Sequence, residues 1–226
     1  MIPIKDLNPA RHTPYVVYAV IGLCGISFLW QLGLGQDGMQ RAAFGLGLIP
    51  GVVTGAAELA PRLYIVPAWM TFVTSMFLHG SFLHLAGNLL YLWIFGNNIE
   101  DRLGHLGFAL FYLASGVAAA AAQIAPDPDS TVPMIGASGA ISGVLGAYLV
   151  LYPRSRVVVF IPISFMLLHE IRAFWLLLIW FAVQLISAVG APDGAGVAWW
   201  AHIGGFVAGA VVALPLVQRR RRGPWG

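Results

Sequence analysis

Long apolar stretches recur along the chain and limit what it can fold into. Of its 226 residues, 59% are hydrophobic and only 9% are charged, whereas a soluble domain carries about 25% charged residues. A stretch of roughly 17–25 apolar residues can cross a bilayer, and in lipid its backbone must be helical. The sequence therefore predicts an all-α membrane protein, a single domain over residues 1–226, with six spans at 14–35, 83–99, 106–125, 138–152, 171–190 and 199–217.

The basic residues predict how these spans are oriented, because lysine and arginine are enriched in cytoplasmic loops. If both termini are cytoplasmic, ten of the twelve basic residues lie on that side: Lys5, Arg11, Arg102, Arg154, Arg156, Arg172 and the run Arg219–Arg222. Only Arg41 and Arg62, in the first loop, then lie outside. The arginine run directly follows the last span, which indicates a positive anchor, and no nucleic-acid partner is expected.

Four polar side chains are predicted to lie at a similar depth in the bilayer. At 1.5 Å per helical residue, Ser138 lies roughly 24 Å and His202 roughly 26 Å above the cytoplasmic ends of their spans. The same arithmetic gives roughly 24 Å for His84 and roughly 18 Å for Asn88, in a hydrocarbon layer about 30 Å thick. Singly, the serine could bond to its own helix, the histidine could relay protons and the asparagine could join helices. Together they favour a functional site.

The chemistry open to these residues is nucleophilic catalysis. A serine hydroxyl needs a base to remove its proton, and histidine suits that task. None of the nine acidic residues lies in a span near the site, so we expect a Ser138–His202 dyad with the imidazole held by packing. The backbone N–H of Ser138, at a helix start, and the side chains of His84 and Asn88 are the expected oxyanion donors. The dispersed histidines and the single Cys24 predict no metal site, and no cofactor is expected.

Small residues predict which spans bring the serine to the histidine. Gly205 and Gly209 follow His202 at spacings of three and seven, so all three share one face of the sixth span. Gly139 and Gly143 lie on the fourth span. Small residues let helix backbones approach closely in membranes. We therefore expect the fourth and sixth spans to pack together, with the serine facing the histidine.

Three motifs built from these residues resemble those of the rhomboid family of intramembrane serine proteases. They are His79-x4-His84-x3-Asn88 at the second span, Gly136-x-Ser138-Gly139 at the fourth, and Ala201-His202-x2-Gly205-x3-Gly209 in the sixth. The resemblance covers about residues 14 to 217. It implies a six-helix rhomboid-like bundle, a Ser138 nucleophile, a His202 base, and an oxyanion hole that includes His84 and Asn88. Some relatives carry an aromatic residue one turn after the nucleophile, where this chain has Ser142.

The resemblance also implies partners and a location. Substrates would be single-span or other membrane proteins, cut in or near a transmembrane helix, with the lipid bilayer surrounding both. The alternative is a rhomboid-like pseudoprotease that binds membrane clients, although such relatives tend to lose the serine or the histidine. A small proton transporter would call for acids in the spans, which the sequence does not place there. Because no organelle-targeting presequence is evident, a prokaryotic plasma membrane is expected.

Overall fold

The structure, a computed structural model, is built mainly from helices. It describes residues 1–161, 167–190 and 197–221, with side chains up to residue 217, so the side chains of Arg219–Arg222 lie outside the described part. The α-helices are α1 (Tyr15–Gly33), α2 (Gly35–Leu46), α3 (Pro50–Thr54), α4 (Thr71–Thr74), α5 (Phe82–Leu103), α6 (His105–Ile124), α7 (Ser138–Leu151), α8 (Ala173–Gly190) and α9 (Trp199–Arg221). Short 3-10 helices at Pro61–Leu63, Ala68–Met70 and Ser75–Phe77 lie between α3 and α5.

Each of the six predicted apolar stretches is a helix, and each helix begins within two residues of the predicted start. Four of them, α1, α6, α8 and α9, are long and apolar enough to cross a membrane. Helix α5 gives a fifth candidate when it is joined to the preceding segment Pro61–Phe77, at a bend of 81°. Helix α7 has only 14 residues, fewer than the roughly 17 that a span needs. The chain is therefore an integral, multi-pass membrane protein, with four or five candidate spans among the residues that the structure describes.

A three-stranded antiparallel sheet corrects the expectation of an all-α chain. Strand β1 (Ile2–Asp6) pairs with β2 (Arg156–Phe160), and β2 pairs with β3 (Leu168–Arg172). Strand β2 reads Arg-Val-Val-Val-Phe, and its buried Val157 and Val159 alternate with less buried neighbours, as in a strand with one covered face. The segment is too short to cross a membrane and lies between two spans, so the hydropathy pattern predicted only a loop there.

The sheet is joined to the far end of α7 by a buried hydrogen bond. The Tyr148 hydroxyl donates to Asp6 Oδ2 at 2.8 Å. Burial raises the pKa of the Asp6 carboxyl to about 6, although the hydrogen bond from Tyr148 acts in the opposite direction. Strand β1 and the carboxyl end of α7 therefore lie at the same end of the bundle.

The carboxyl end of α5 is tied to two other helices. Glu100 is only 1% exposed, and its two oxygens accept hydrogen bonds from the backbone N–H groups of Val16 and Val17 at 2.9 and 2.8 Å. The first N–H groups of a helix have no partner within the helix, so this carboxylate caps α1. Arg102 Nη2 donates to the backbone oxygen of Leu216 in α9 at 2.7 Å. The start of α1 and the ends of α5 and α9 are thus held together.

Helix α7 is the central element of the bundle. Every residue from Gly139 to Tyr148 is buried, although most spanning helices of the chain expose one face. A helix buried on all sides is surrounded by protein rather than lipid, so it tolerates small polar groups that bond within the bundle. Its first residue, Ser138, is therefore presented from the interior of the protein.

Candidate active site

Ser138 is the first residue of α7, and the turn before it depends on a glycine. Gly136 has a φ of +123°, a conformation that residues with a Cβ rarely adopt. A Cβ at Gly136 would also lie 2.7 Å from His84 Nε2 and 3.7 Å from Asn88 Nδ2. The glycine therefore both forms the turn into α7 and lets the backbone beside Ser138 approach two side chains of α5.

The structure brings Ser138 and His202 into direct contact. Ser138 Oγ lies 2.8 Å from His202 Nε2, although the two residues are 64 apart in the chain. His202 occupies the first turn of α9, which is capped from α6: the backbone N–H of Ala201 donates to Gln123 Oε1 at 3.1 Å. The distance is that of a hydrogen bond, which is the contact a serine nucleophile needs with its base.

His84 and Asn88 lie one turn apart on α5, close to Ser138. Helix α5 begins after Ser81, whose hydroxyl accepts the backbone N–H of His84 at 3.1 Å. Asn88 is 8% exposed, and its Nδ2 lies 3.0 Å from Nε2 of the fully buried His79. The backbone N–H of His79 donates in turn to Gln31 Oε1 at 3.0 Å. His79 thus holds the amide of Asn88, a role that its spacing in the sequence did not reveal.

All four predicted side chains line one cavity of about 490 Å³: Ser138, His202, His84 and Asn88. The rest of its wall is largely apolar and includes Met76, Ile135 and Val197. Cavities of this size, with few polar groups in an apolar wall, are typical of ligand sites. The arrangement combines a hydroxyl bonded to an imidazole with two further side chains that can donate hydrogen bonds.

The predicted packing glycines lie where α7 meets its neighbours. A Cβ at Gly209 would overlap the backbone carbonyl of Gly143, and a Cβ at Gly205 would overlap that of Gly139. The missing side chains of Gly139 and Gly143 point instead at α6, where a Cβ at Gly139 would lie 2.7 Å from Ala119 Cβ. Gly139 and Gly143 of α7 therefore leave room for α6, whereas Gly205 and Gly209 of α9 leave room for α7. The involvement of α6 was not expected.

Sequence reasoning missed the side chains that surround the imidazole. His202 Nδ1 lies 2.8 Å from Gln184 Oε1 on α8, and the rings of Trp180 and Trp199 have their centroids 6.0 and 5.9 Å from the His202 ring. Ser142, where some relatives carry an aromatic residue, has no ring to stack on the imidazole, and its hydroxyl donates to the Ser138 carbonyl at 2.6 Å. A glutamine within a highly apolar helix was the available signal, because a buried amide needs partners.

A match to a family model over most of the chain shows which protein family it belongs to. A family model described as a rhomboid domain matches residues 67–219. The chain belongs to the rhomboid family. That match includes all three motifs that carry Ser138, His202, His84 and Asn88.

Three relatives illustrate the similarity and its extent. Rhomboid protease GluP of Bacillus subtilis is 36% identical over 148 residues, which cover 66% of this chain and 26% of that protein. Rhomboid-like protein 11, chloroplastic, of Arabidopsis thaliana is 43% identical over 77 residues, 34% of this chain and 27% of that protein. Rhomboid protein 1, mitochondrial, of Saccharomyces cerevisiae is 28% identical over 155 residues, 66% of this chain and 40% of that protein.

The chain thus spans between a quarter and two fifths of the length of these relatives. Two of them are named as chloroplast and mitochondrial proteins. The comparisons therefore do not support the expected prokaryotic plasma membrane over other membranes. They agree with the helices in indicating an integral membrane protein.

Proposed function

We propose that this rhomboid family chain is an intramembrane serine endopeptidase that uses a Ser138–His202 dyad. The observation that carries the proposal is the 2.8 Å contact between Ser138 Oγ and His202 Nε2 in a cavity at the start of α7. Two bacterial relatives that are named rhomboid proteases, GluP of Bacillus subtilis and AarA of Providencia stuartii, support the same activity. Among soluble enzymes, this pair of atoms at this distance is what activates a serine.

The reaction follows from the positions of the two side chains. Ser138 Oγ attacks the carbonyl carbon of the scissile peptide bond while His202 Nε2 takes the hydroxyl proton. The tetrahedral intermediate collapses when the C–N bond breaks and His202 returns the proton to the departing amine. Water, with its proton taken by His202, then attacks the ester on Ser138, which releases the second product and restores the hydroxyl.

The oxyanion formed in both steps is assigned to three donors: the backbone N–H of Ser138 and the side chains of His84 and Asn88. The N–H of a first helical residue has no partner within its helix, so it is free to donate. Asn88 uses one amide N–H on His79, which leaves the second N–H for the cavity that it lines. The close approach of His84 Nε2 to Gly136 supports its place beside the nucleophile.

The proposed arrangement in the membrane is a single domain, residues 1–226, with six spans and both termini in the cytoplasm. Helices α5 and α7 complete the six, α7 as a short span enclosed by protein. The pairing of β1 with β2 supports a shared side for the amino terminus and the α7–α8 connection. The bond from Arg102 to Leu216 supports the same side for the ends of α5 and α9.

The proposed substrates are other membrane proteins, as for rhomboid proteases generally. A peptide must be extended for its carbonyl to reach a serine, so a substrate helix has to unwind locally at the cavity. The competing role is that of a pseudoprotease, which would bind such segments without cutting them. The two roles differ in whether Ser138 is reactive.

A fluorophosphonate probe tests that difference directly, because it labels serines that have been activated as nucleophiles. We expect the purified wild-type protein to be labelled, whereas Ser138→Ala and His202→Ala abolish labelling and also abolish cleavage of a reconstituted single-span substrate. Ser142→Ala is the matched control, because this serine lies one turn further along α7 and donates to a backbone oxygen. It should remain labelled. An unlabelled wild type, with intact binding of the substrate, would identify a pseudoprotease.

The oxyanion role of Asn88 is tested by turnover. We expect Asn88→Ala to lower kcat by about 10²–10³-fold and to change KM little, because the lost donor acts on charge that develops in the transition state. Asn97→Ala, which removes an asparagine from the other end of the same helix, should leave kcat unchanged. Since Asn88→Ala also removes the partner of buried His79, kcat is expressed per folded molecule. Equal kcat values for the two variants would contradict the assignment.

A further inference from the structure

Gln184 is the one buried residue in the second half of α8. Of residues 178–190, all of which the structure describes, it alone is buried, at 5% exposure. Its neighbours Val183 and Ile186 are 48% and 72% exposed. Burying an amide in a membrane-spanning helix is costly unless its polar atoms find partners. The partners of this amide therefore explain why it is buried.

The nitrogen and the oxygen of the Gln184 amide each make a hydrogen bond, and these two bonds determine the orientation of the amide. Its Nε2 donates to the backbone oxygen of Trp180 at 3.1 Å, and its Oε1 lies 2.8 Å from His202 Nδ1. A carbonyl oxygen can only accept, so the NH₂ group must face Trp180 and the amide oxygen must face the imidazole. An amide oxygen also can only accept. The His202 nitrogen that meets it, Nδ1, therefore carries the proton.

The protonated Nδ1 determines what the other ring nitrogen can do. A neutral imidazole has one protonated nitrogen and one with a free lone pair. With the proton on Nδ1, the lone pair is on Nε2, the atom 2.8 Å from Ser138 Oγ. The opposite tautomer would direct an N–H at the hydroxyl and could not accept its proton.

We propose that Gln184 is a positioning residue that selects the tautomer of His202 able to activate Ser138 and that bonds the imidazolium once it forms. The inference rests on the proposed function and names a third member of the dyad's hydrogen-bond chain, which runs from Trp180 through Gln184 and His202 to Ser138. In soluble triads an acid performs this task. A neutral amide can hold the imidazole without burying a charge in the membrane.

The alternative for Gln184 is a purely structural contact between α8 and α9. Trp180 and Phe181 also bridge these helices, since Phe181 stacks on Phe206 with ring centroids 4.5 Å apart. A structural contact would contribute to stability alone. A positioning residue would set the tautomer and the turnover number, and both can be measured.

The tautomer is measured by ¹⁵N NMR of histidine-labelled Ser138→Ala protein, with the His202 signals assigned by comparison with the Ser138→Ala/His202→Ala double variant. Removing the Ser138 hydroxyl leaves the Gln184 amide oxygen as the hydrogen-bond partner that the structure gives the His202 ring. We expect a neutral His202 with the proton on Nδ1 when Gln184 is present and a mixture of tautomers in Gln184→Leu. A proton on Nε2 in the presence of Gln184 would overturn the proposal. This measurement needs no catalytic activity. It can therefore contradict the role of Gln184 even if the proposed protease function is correct, and the reverse also holds.

Turnover of a reconstituted single-span substrate supplies the second test. We expect Gln184→Leu to lower kcat by about 10- to 100-fold, as for a lost hydrogen bond to a charged group, with KM within about twofold. Val183→Leu, which adds the same side chain at the adjacent outward-facing position, should retain full kcat. An unchanged kcat in folded Gln184→Leu would overturn the proposal.

The Gln184→Glu variant separates positioning from packing, because it keeps the shape of the side chain and the acceptor that faces His202, and gives up only the donor to the Trp180 carbonyl. We expect it to recover most of the wild-type kcat and to move the acidic limb of the kcat–pH profile to higher pH by about one unit, since a carboxylate stabilises the imidazolium. Among the described residues that line the cavity, His84 is the other titratable side chain. It is present in every variant, so its contribution cancels. If Gln184→Glu were as impaired as Gln184→Leu, with an unmoved profile, the proposal would fail.

Discussion

Helix α9 meets α7 and α8 in two different ways. Against α7 the contact is between backbones: the positions of Gly205 and Gly209 leave no room for a Cβ next to the carbonyls of Gly139 and Gly143. Against α8 the contact is between large side chains and one amide, with Trp180 and Phe181 packed on the rings of α9. The α7–α9 interface therefore depends on the absence of side chains at glycines, whereas the α8–α9 interface depends on large side chains.

The difference teaches how the proposed dyad is held. In a bilayer, no hydrophobic driving force pulls helices together, so close packing and hydrogen bonds must do so. The backbone contact with α7 fixes how far Ser138 lies from His202, because two backbones in contact cannot rearrange as side chains can. The contact with α8 fixes the rotation of the imidazole and which of its nitrogens carries the proton. It does so through side chains that can change conformation. Distance and orientation are thus controlled by separate interfaces, which can be disturbed separately.

The largest effect is expected from Gly209→Ala. The added methyl group would overlap the Gly143 carbonyl, so α7 and α9 must separate, which we expect to lower the free energy of unfolding by about 3 kcal/mol. Reactivity of Ser138 toward the fluorophosphonate probe should fall by at least about tenfold, because the reacting atoms need near-contact geometry. Unfolding in mixed micelles and the rate of labelling measure the two effects.

Gly22→Ala is the control for this substitution. Gly22 lies within α1, and a Cβ there would meet no atom within 4 Å. The exchange should be neutral or slightly stabilising, because alanine is the better helix former. Similar losses in Gly22→Ala and Gly209→Ala would show that glycine content, and not the α7–α9 contact, is responsible.

A smaller effect is expected from Phe181→Ala at the other interface. The variant removes the ring that stacks on Phe206 at a centroid distance of 4.5 Å, and an aromatic pair contributes about 0.5–1.5 kcal/mol beyond its buried area. We expect the free energy of unfolding to fall by about 1 kcal/mol and Ser138 to remain reactive, since α7 and α9 stay in contact. Should this variant prove as damaging as Gly209→Ala in the same two assays, the distinction between the interfaces would be lost.

The sequence predicted the helices and a similar depth for the four polar side chains, because both follow from simple periodic rules. A hydrocarbon layer sets the length of each span, and the rise per residue sets the depth of Ser138, His84, Asn88 and His202. These rules need no knowledge of which helix lies beside which. They also placed the start of α7 at Ser138, as the structure has it.

What the sequence did not predict depends on contacts between distant segments. Gln184 meets His202 only because of how α8 is rotated against α9, and hydropathy carries no information about that rotation. The sheet was missed because β1 and β2 are paired across most of the chain. His79 was predicted only as part of the motif at the second span and was given no role, whereas its buried ring holds Asn88.

The pairing of β1 with β2 has a consequence for how the protein is made. The partners Ile2 and Phe160 are separated by a stretch that takes roughly 10–30 s to synthesise at about 5–20 residues per second. During that interval β1 has no strand to join, and Asp6 has no Tyr148 to bond. Several helices enter the membrane before the sheet can form, so sheet closure is a late step in biogenesis that requires an early segment of the nascent chain to remain accessible.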